Sequence, residues 1–309
     1  MVRSALWLPI VIAAALSQGC VLDAQGERVA EGTFMRNLSV EEGPVQLDLL
    51  TGAGDVVVRT SSDRTVRVEG RVSANWRLFE IDDARDRVRE VQQSPPIEQN
   101  GNDIRIGVEP DRRRNVRISY RLSVPRNTNL RIRTGSGDIA AEDLDGSLRA
   151  ETGSGDVRVE RVGGDLRMRT GSGDVEVGEV AGRATITTGS GDVQVRSAGN
   201  GETELQTGSG DVSLGGASAQ LTVRTGSGTI RVAGAPAGEW ELSAGSGDVS
   251  VRTPSTAAFR IYARTGSGDL DLQDVTTTGR LSRREVRGTI RGDGPQVTMT
   301  TGSGQIRVR

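Results

Sequence analysis

Seven aspartates, Asp138, Asp156, Asp174, Asp192, Asp211, Asp248 and Asp269, each follow the same Gly-Ser-Gly turn, the first five at intervals of 18 or 19 residues. Carboxylates set in a file are hard oxygen donors, and the chemistry they suggest is cation binding, with Ca2+ the natural guest of flexible oxygen cages. Nonapeptide calcium rolls are the relevant comparison, but they place one residue between the last glycine and the aspartate. Here Gly155 and Asp156 adjoin, and Thr229 and Gln305 replace the aspartate without disturbing the surrounding residues. The competing expectation is structural: each carboxylate accepts backbone N–H bonds from its own glycine-rich turn, with Arg133 and Arg169 offsetting the negative charge. Neighbours ~4.8 Å apart would otherwise repel by about 1 kcal/mol in water.

Other chemistry is excluded by composition. The chain has 309 residues, 39 of them basic and 41 acidic, for a net charge of −2. All the basic residues are arginine; there is no lysine and no histidine. Histidine-assisted nucleophiles, imidazole metal ligands, P-loop lysines and Schiff bases are therefore ruled out. The balanced charge favours neither nucleic acid nor anionic lipid. A carbohydrate-active β-helix enzyme is the alternative to a binding protein. Such an enzyme needs carboxylates in unlike environments, whereas these aspartates repeat in nearly identical ones. Only the lengthened units after Asp248 hint at an elaborated coil.

The elements that must hold the file are set by the repeat itself. Thr-Gly-Ser-Gly-Asp and close variants occur nine times between Thr134 and Gln305, at spacings of 18, 18, 18, 19, 18, 19, 21 and 36 residues. The longest gap suggests one worn copy, and Glu285-Val286-Arg287-Gly288-Thr289-Ile290 fits it. Within each period two short segments alternate, as Val157/Val159 against Arg158/Glu160 and Leu166/Met168/Thr170 against Arg167/Arg169. That is the two-residue rhythm of half-buried strands. Identical turns superimpose only when successive units run parallel, so the expected fold is all-β: a parallel β-solenoid of about ten short coils. An antiparallel meander closed by Gly-Ser-Gly hairpins is the rival. Aromatics make up 3% of the chain and glycines number 42, which suits a thin core. Trp240 and Phe259 share the inward parity and are expected inside. The outward positions Arg158, Glu176, Gln194, Ser213, Arg231 and Asp271 mix both signs.

Residues 1–19 read as an export signal, with Arg3 before an apolar run too short to span a bilayer. Cys20 is the only cysteine, and Leu16-Ser17-Gln18-Gly19-Cys20 resembles a bacterial lipobox, which implies lipidation at Cys20. Residues 20–37 follow as a tether. Residues 38–133 form an irregular β-rich cap and the first solenoid strands, and 134–309 form the repeat. The cap holds an early turn copy, Thr51-Gly52-Ala53-Gly54-Asp55, and one short helix marked by Leu78, Ile81, Val88 and Val91. Asn100-Gly101-Asn102 signals a hairpin. Arg112-Arg113-Arg114 reads as a solvated loop. The end of the repeat, Ile306-Arg307-Val308-Arg309, has no visible cap. An open edge there is expected to pair with itself or a partner, or to be protected by its charge.

Tyr120-Arg121-Leu122-Ser123-Val124-Pro125 leading into Leu130-Arg131-Ile132-Arg133-Thr134-Gly135-Ser136-Gly137-Asp138-Ile139, followed by repeated Gly-Ser-Gly-Asp-Val, is similar to a bacterial family. This is the exported β-strand-repeat family whose members are described as candidate adhesins, a family of unknown activity. The resemblance covers about residues 38–309 and implies a parallel β-solenoid on the cell envelope. The function expected is that of a non-enzymatic envelope lipoprotein, at the outer membrane or cell surface, presenting a repetitive polar surface to an envelope protein or glycan. A calcium-binding surface rod is the further alternative.

Overall fold

The computed structural model describes residues 20–22, 28–75, 81–107, 116–277 and 282–309. The export signal, Leu78 and the Arg112-Arg113-Arg114 run lie outside them. In a typical unit, Val157–Val162 buries Val157, Val159 and Val162, and Leu166–Ser172 buries Leu166, Met168 and Thr170. Each strand joins its counterpart one period away in parallel register: Val157 pairs with Val175, and Leu166 with Leu148 and Ala184. The result is a parallel β-solenoid with two walls, each a sheet of 14 strands among the described residues. Valine, isoleucine and leucine from both walls fill the thin core, each buried side chain contributing roughly 1.5–3 kcal/mol. Antiparallel pairing, the basis of the rival meander, is confined to the ends of the rod.

The early turn copy is in register with the rest of the rod, Thr51 pairing with Thr134 and Ala53 with Ser136. The strand Val45–Ala53 lies between Asp103–Gly107 and Thr128–Ser136. The sequentially first coil is therefore sandwiched between two later ones. Residues 28–37, expected within the tether, instead belong to the strand Arg28–Ser39, antiparallel to Thr65–Asn75. Its buried Ala30 and Phe34 close the end of the core, where Phe34 meets Tyr120 edge-on at 6.3 Å. The helix Ile81–Gln93 lies on this strand and buries Ala84, Val88 and Val91. Gly32 permits the approach: a Cβ there would stand 2.6 Å from Val88 Cγ1. The expected hairpin forms, joining Ile97–Asn100 to Asp103–Gly107.

The far end departs from sequence order in the same way. Gln296–Ser303 lies between Trp240–Ser246 and Phe259–Ser267. Ile306–Val308 lies between Val249–Arg252 and Leu270–Leu272. The last segment of the chain is therefore an interior coil, paired on both sides, and the open edge expected at Ile306–Arg309 does not exist. Glu285–Ile290 is not a worn coil either. It runs antiparallel to Phe259–Ser267, as part of the end cap. Its single glycine lacks the paired Gly-x-Gly that a stacked turn requires, and the 36-residue gap is the excursion around the inserted coil. The irregular spacing after Asp248 thus reflects strand order rather than an elaborated cleft. Trp240 and Phe259 are buried in this region, as their parity predicts.

Candidate functional site

The turns bring the aspartates together into a continuous file, with Asp55 added at its head. From Asp138 to Asp248 each carboxylate bonds to the next coil rather than to its own turn. Oδ1 of Asp138, Asp156 and Asp174 accepts the backbone N–H of Asp156, Asp174 and Asp192 at 2.8–2.9 Å. Asp192 and Asp211 do the same for Asp211 and Thr229. Asp248 accepts from the N–H of Gln305 at 2.8 Å, so the inserted coil joins the file. Asp269 lies on the last coil of the series. Beside the file runs a threonine ladder: Oγ1 of Thr170, Thr188 and Thr207 donates to the carbonyls of Gly155, Gly173 and Gly191 at 3.0–3.3 Å. Both glycines of each turn sit where a Cβ would strike the preceding coil, as at Gly171 (2.5 Å from Gly153 O) and Gly173 (2.0 Å from Gly155 O).

Arg133 and Arg169, expected to offset this charge, are on the other wall. Arg231 and Arg307 do so instead, at 2.9 Å from Asp211 and 3.7 Å from Asp248. The Thr229 N–H bond, then the Arg231 bond, hold the Asp211 carboxyl below its ordinary range. No cluster of three or more metal-ligating side chains occurs among the described residues. Cys20 opens the strand Cys20–Leu22, its backbone opposite Ala30.

Asp211 gives a direct test of the file. Because its folded pKa is lowered, its contribution is complete above the unfolded value near ~3.9 and is lost as pH falls through the folded value. Asp211→Ala is expected to cost about 1 kcal/mol near neutrality. Asp211→Asn, which keeps the Oδ1 acceptor, should cost less. Urea unfolding midpoints measured from about pH 7 down to about pH 3 should show the wild-type advantage over the alanine variant shrinking below about pH 4.

The two walls differ in their outward charge. On the wall containing Val157–Val162, charges pair off: Arg158 with Glu176 at 2.8 Å and Arg196 with Glu160 at 3.1 Å. A small pocket of 260 Å³ there gathers Arg231, Arg252, Arg307 and Arg309 around Ser250. Asp211, Asp248 and Asp271 pair with three of those four arginines.

The opposite wall is not balanced in this way. One outward file there reads Arg105, Asp48, Arg131, Arg149, Arg167, Thr185 and Glu204, each residue in register with the next. The file beside it reads Arg133, Glu151 and Arg169 over the same three central coils. Five guanidinium groups thus surround one glutamate. Arg149 bonds to Glu151 at 2.6 Å, and Arg133 approaches Asp48 at 3.7 Å. Arg131, Arg167 and Arg169 make no ion pair or side-chain hydrogen bond with any described residue. The Nε atoms of Arg131 and Arg133 are buried without a hydrogen-bond partner. The bond from Arg149, then the charges of Arg149, Arg131 and Arg133, hold the Glu151 carboxyl below its ordinary range. A groove of about 1030 Å³ runs over the first of these files, from the Ile97–Gly107 hairpin to Glu204. The reading of mixed outward signs came from the balanced wall alone. The signal for this one lay in Leu-Arg-Ile-Arg, Leu-Arg-Ala-Glu and Leu-Arg-Met-Arg, set beneath one another at the repeat period.

Fold and site define a parallel β-solenoid whose turns are joined by Asp, Thr and Gly ladders and one of whose walls is rich in arginine. The chain belongs to the Toastrack DUF4097 family, whose model matches residues 46–309. Three solved structures resemble it. A candidate adhesin from Bacteroides fragilis is 14% identical, covering 90% of this chain and 97% of its own, with a TM-score of 0.42. Another from Parabacteroides merdae is 10% identical, covering 89% and 95%, with a TM-score of 0.44. A candidate cell adhesion protein from Clostridium sporogenes is 12% identical, covering 90% and 98%, with a TM-score of 0.26. No curated protein matches the chain in sequence.

Proposed function

We infer that this protein is an exported, non-enzymatic envelope rod, anchored through lipidated Cys20, that binds a glycan of the envelope along its arginine-rich wall. The observation that carries the reading is the cost of that wall. Five like charges crowd three adjacent coils, and Arg131, Arg167 and Arg169 are paired with no carboxylate among the described residues. Like charges this close repel, and a partner supplying anionic oxygens to the exposed guanidinium ends would relieve the cost.

Catalysis fits the geometry poorly. Glu151 and Asp211 are both stabilised as anions, the reverse of a carboxyl poised as a general acid. The candidate adhesins among the similar structures are in keeping with a surface location.

The test uses cells expressing wild-type protein or Cys20→Ser in the presence of radiolabelled palmitate. Wild type is expected to carry label and to fractionate with membranes, and the variant to do neither. Immobilised wild type should also retain polysaccharide from an envelope extract and release it at full length. Shortened chains would move the reading to an enzyme, and failure to retain any polysaccharide would end it.

A further inference from the structure

The shape of the charge on this wall narrows the ligand, on the reading that the wall is the binding surface. Arg131, Arg149 and Arg167 stand one per coil in a straight file along the rod. Their spacing is that of the coils, ~4.8 Å. Arg133 and Arg169 flank the same stretch from the neighbouring file.

The positive strip is narrow and bounded. Groove residues on its other side and at its ends include Glu98, Asp103, Asp165, Glu202 and Glu204, against one arginine there, Arg183, which Glu202 holds at 3.4 Å. Within the strip, Asp48 separates Arg105 from Arg131. A flat anionic bilayer or a wide duplex would press its charges against those acids, and like charges brought together without water between them cost affinity. A thin chain lying along the file avoids them.

The chemistry of the strip also chooses among thin chains. Single-stranded nucleic acid is held by aromatic stacking as well as by charge. Among the described residues Phe34, Tyr120, Trp240 and Phe259 are buried, and Tyr262 lies under Arg287 at 4.8 Å, far along the rod from the strip. Guanidinium forks instead match planar or tetrahedral oxyanions.

We propose that the file Arg131, Arg149, Arg167, flanked by Arg133 and Arg169, binds a linear acidic polysaccharide aligned with the rod axis through carboxylate or sulfate groups recurring at about the coil spacing. Glu151 is the internal brake. It occupies Arg149 and repels the ligand, so the strip selects chains with enough charge to displace it.

The experiment is calorimetric titration of the full-length protein in detergent with polygalacturonate (carboxylate), heparin oligosaccharides (sulfate) and neutral dextran, at low and high salt. Binding to one or both acidic chains is expected, weakened by salt because the contacts are solvent-exposed, with none to dextran. Arg131→Gln/Arg149→Gln/Arg167→Gln should lose at least tenfold in affinity. Glu151→Gln should gain several-fold, a change that damage to the fold would not produce. Unchanged thermal melting of both variants confirms that the coils stay intact.

Acidic chains that bind the triple variant as tightly as wild type, or a Glu151→Gln variant that binds more weakly, would overturn the proposal. So would binding of dextran with no preference for either acidic chain, although the wall would then remain a glycan surface. No binding to any of the three chains overturns the proposal as well. The broader reading then stands or falls on whether envelope polysaccharide is retained.

Discussion

Removal of residues 296–309 is expected to collapse the far end of the rod rather than trim it. This segment lies between the coil of residues 240–252 and the coil of residues 259–272. Val297, Met299, Ile306 and Val308 are completely buried. At roughly 1.5–3 kcal/mol each, they amount to much of the ~5–15 kcal/mol that keeps a typical domain folded. The ladders break too, since Asp248 loses the N–H of Gln305 and Thr265 loses the carbonyl of Gly304. The truncated protein should melt more than about 10 °C lower, bind a hydrophobic dye, and be cleaved by trypsin within 259–290. A melting temperature and cleavage pattern like those of wild type would show that the segment is peripheral. A terminal edge strand would only have frayed, so this result separates an interior coil from an exposed one.

The same topology shows where sequence reading reaches its limit. The period, the inward and outward parity, and the alignment of turns into ladders were all legible, because each is local and repeats. Val157, Leu166 and Thr170 announce their burial within a few residues of themselves. Coil order was not legible. A Thr-Gly-Ser-Gly turn fits against any other such turn, so nothing local in Thr301-Gly302-Ser303-Gly304-Gln305 says that it stacks between Ala244 and Thr265. What decides the order is the antiparallel cap Glu285–Ile290 on Phe259–Ser267, a long-range pairing that the repeat does not encode. The strand Arg28–Ser39 was missed for a related reason. Gly32 weakens its strand signal, and the cause of that glycine is the helix Ile81–Gln93, about fifty residues further on. The direction of the aspartate bonds needed the register as well, since an Asx turn within one coil and a rung between two coils have the same sequence. Arginine at positions 131, 149 and 167 was in plain view. It became a strip only once Leu130, Leu148 and Leu166 were known to lie side by side.

Gly191→Ala is expected to be among the most damaging single substitutions in the chain, at about 3 kcal/mol or more. Its φ of +156° lies outside the usual range of a residue with a side chain, and an added Cβ would stand 2.1 Å from the carbonyl oxygen of Gly173. That oxygen cannot yield cheaply. It is backbone, it belongs to the coil beneath, and it accepts the Thr188 hydroxyl at 3.2 Å. Opening the gap would also lengthen the neighbouring rung from Asp174 Oδ1 to the N–H of Asp192. Gly101→Ala is the proper control. Its φ of +58° carries a backbone penalty, but a Cβ there meets nothing within 4 Å, so about 1 kcal/mol is expected. Urea unfolding of the two variants and wild type measures the difference. Equal costs would mean that backbone conformation alone accounts for the glycines. A much larger cost at Gly191 would mean that the spacing of the coils, set by the carbonyl beneath each turn, is what the Gly-Ser-Gly repeat maintains. In that case every turn along the aspartate file is held to the same tolerance, and an extra methyl in one coil propagates into the hydrogen bonds of the next.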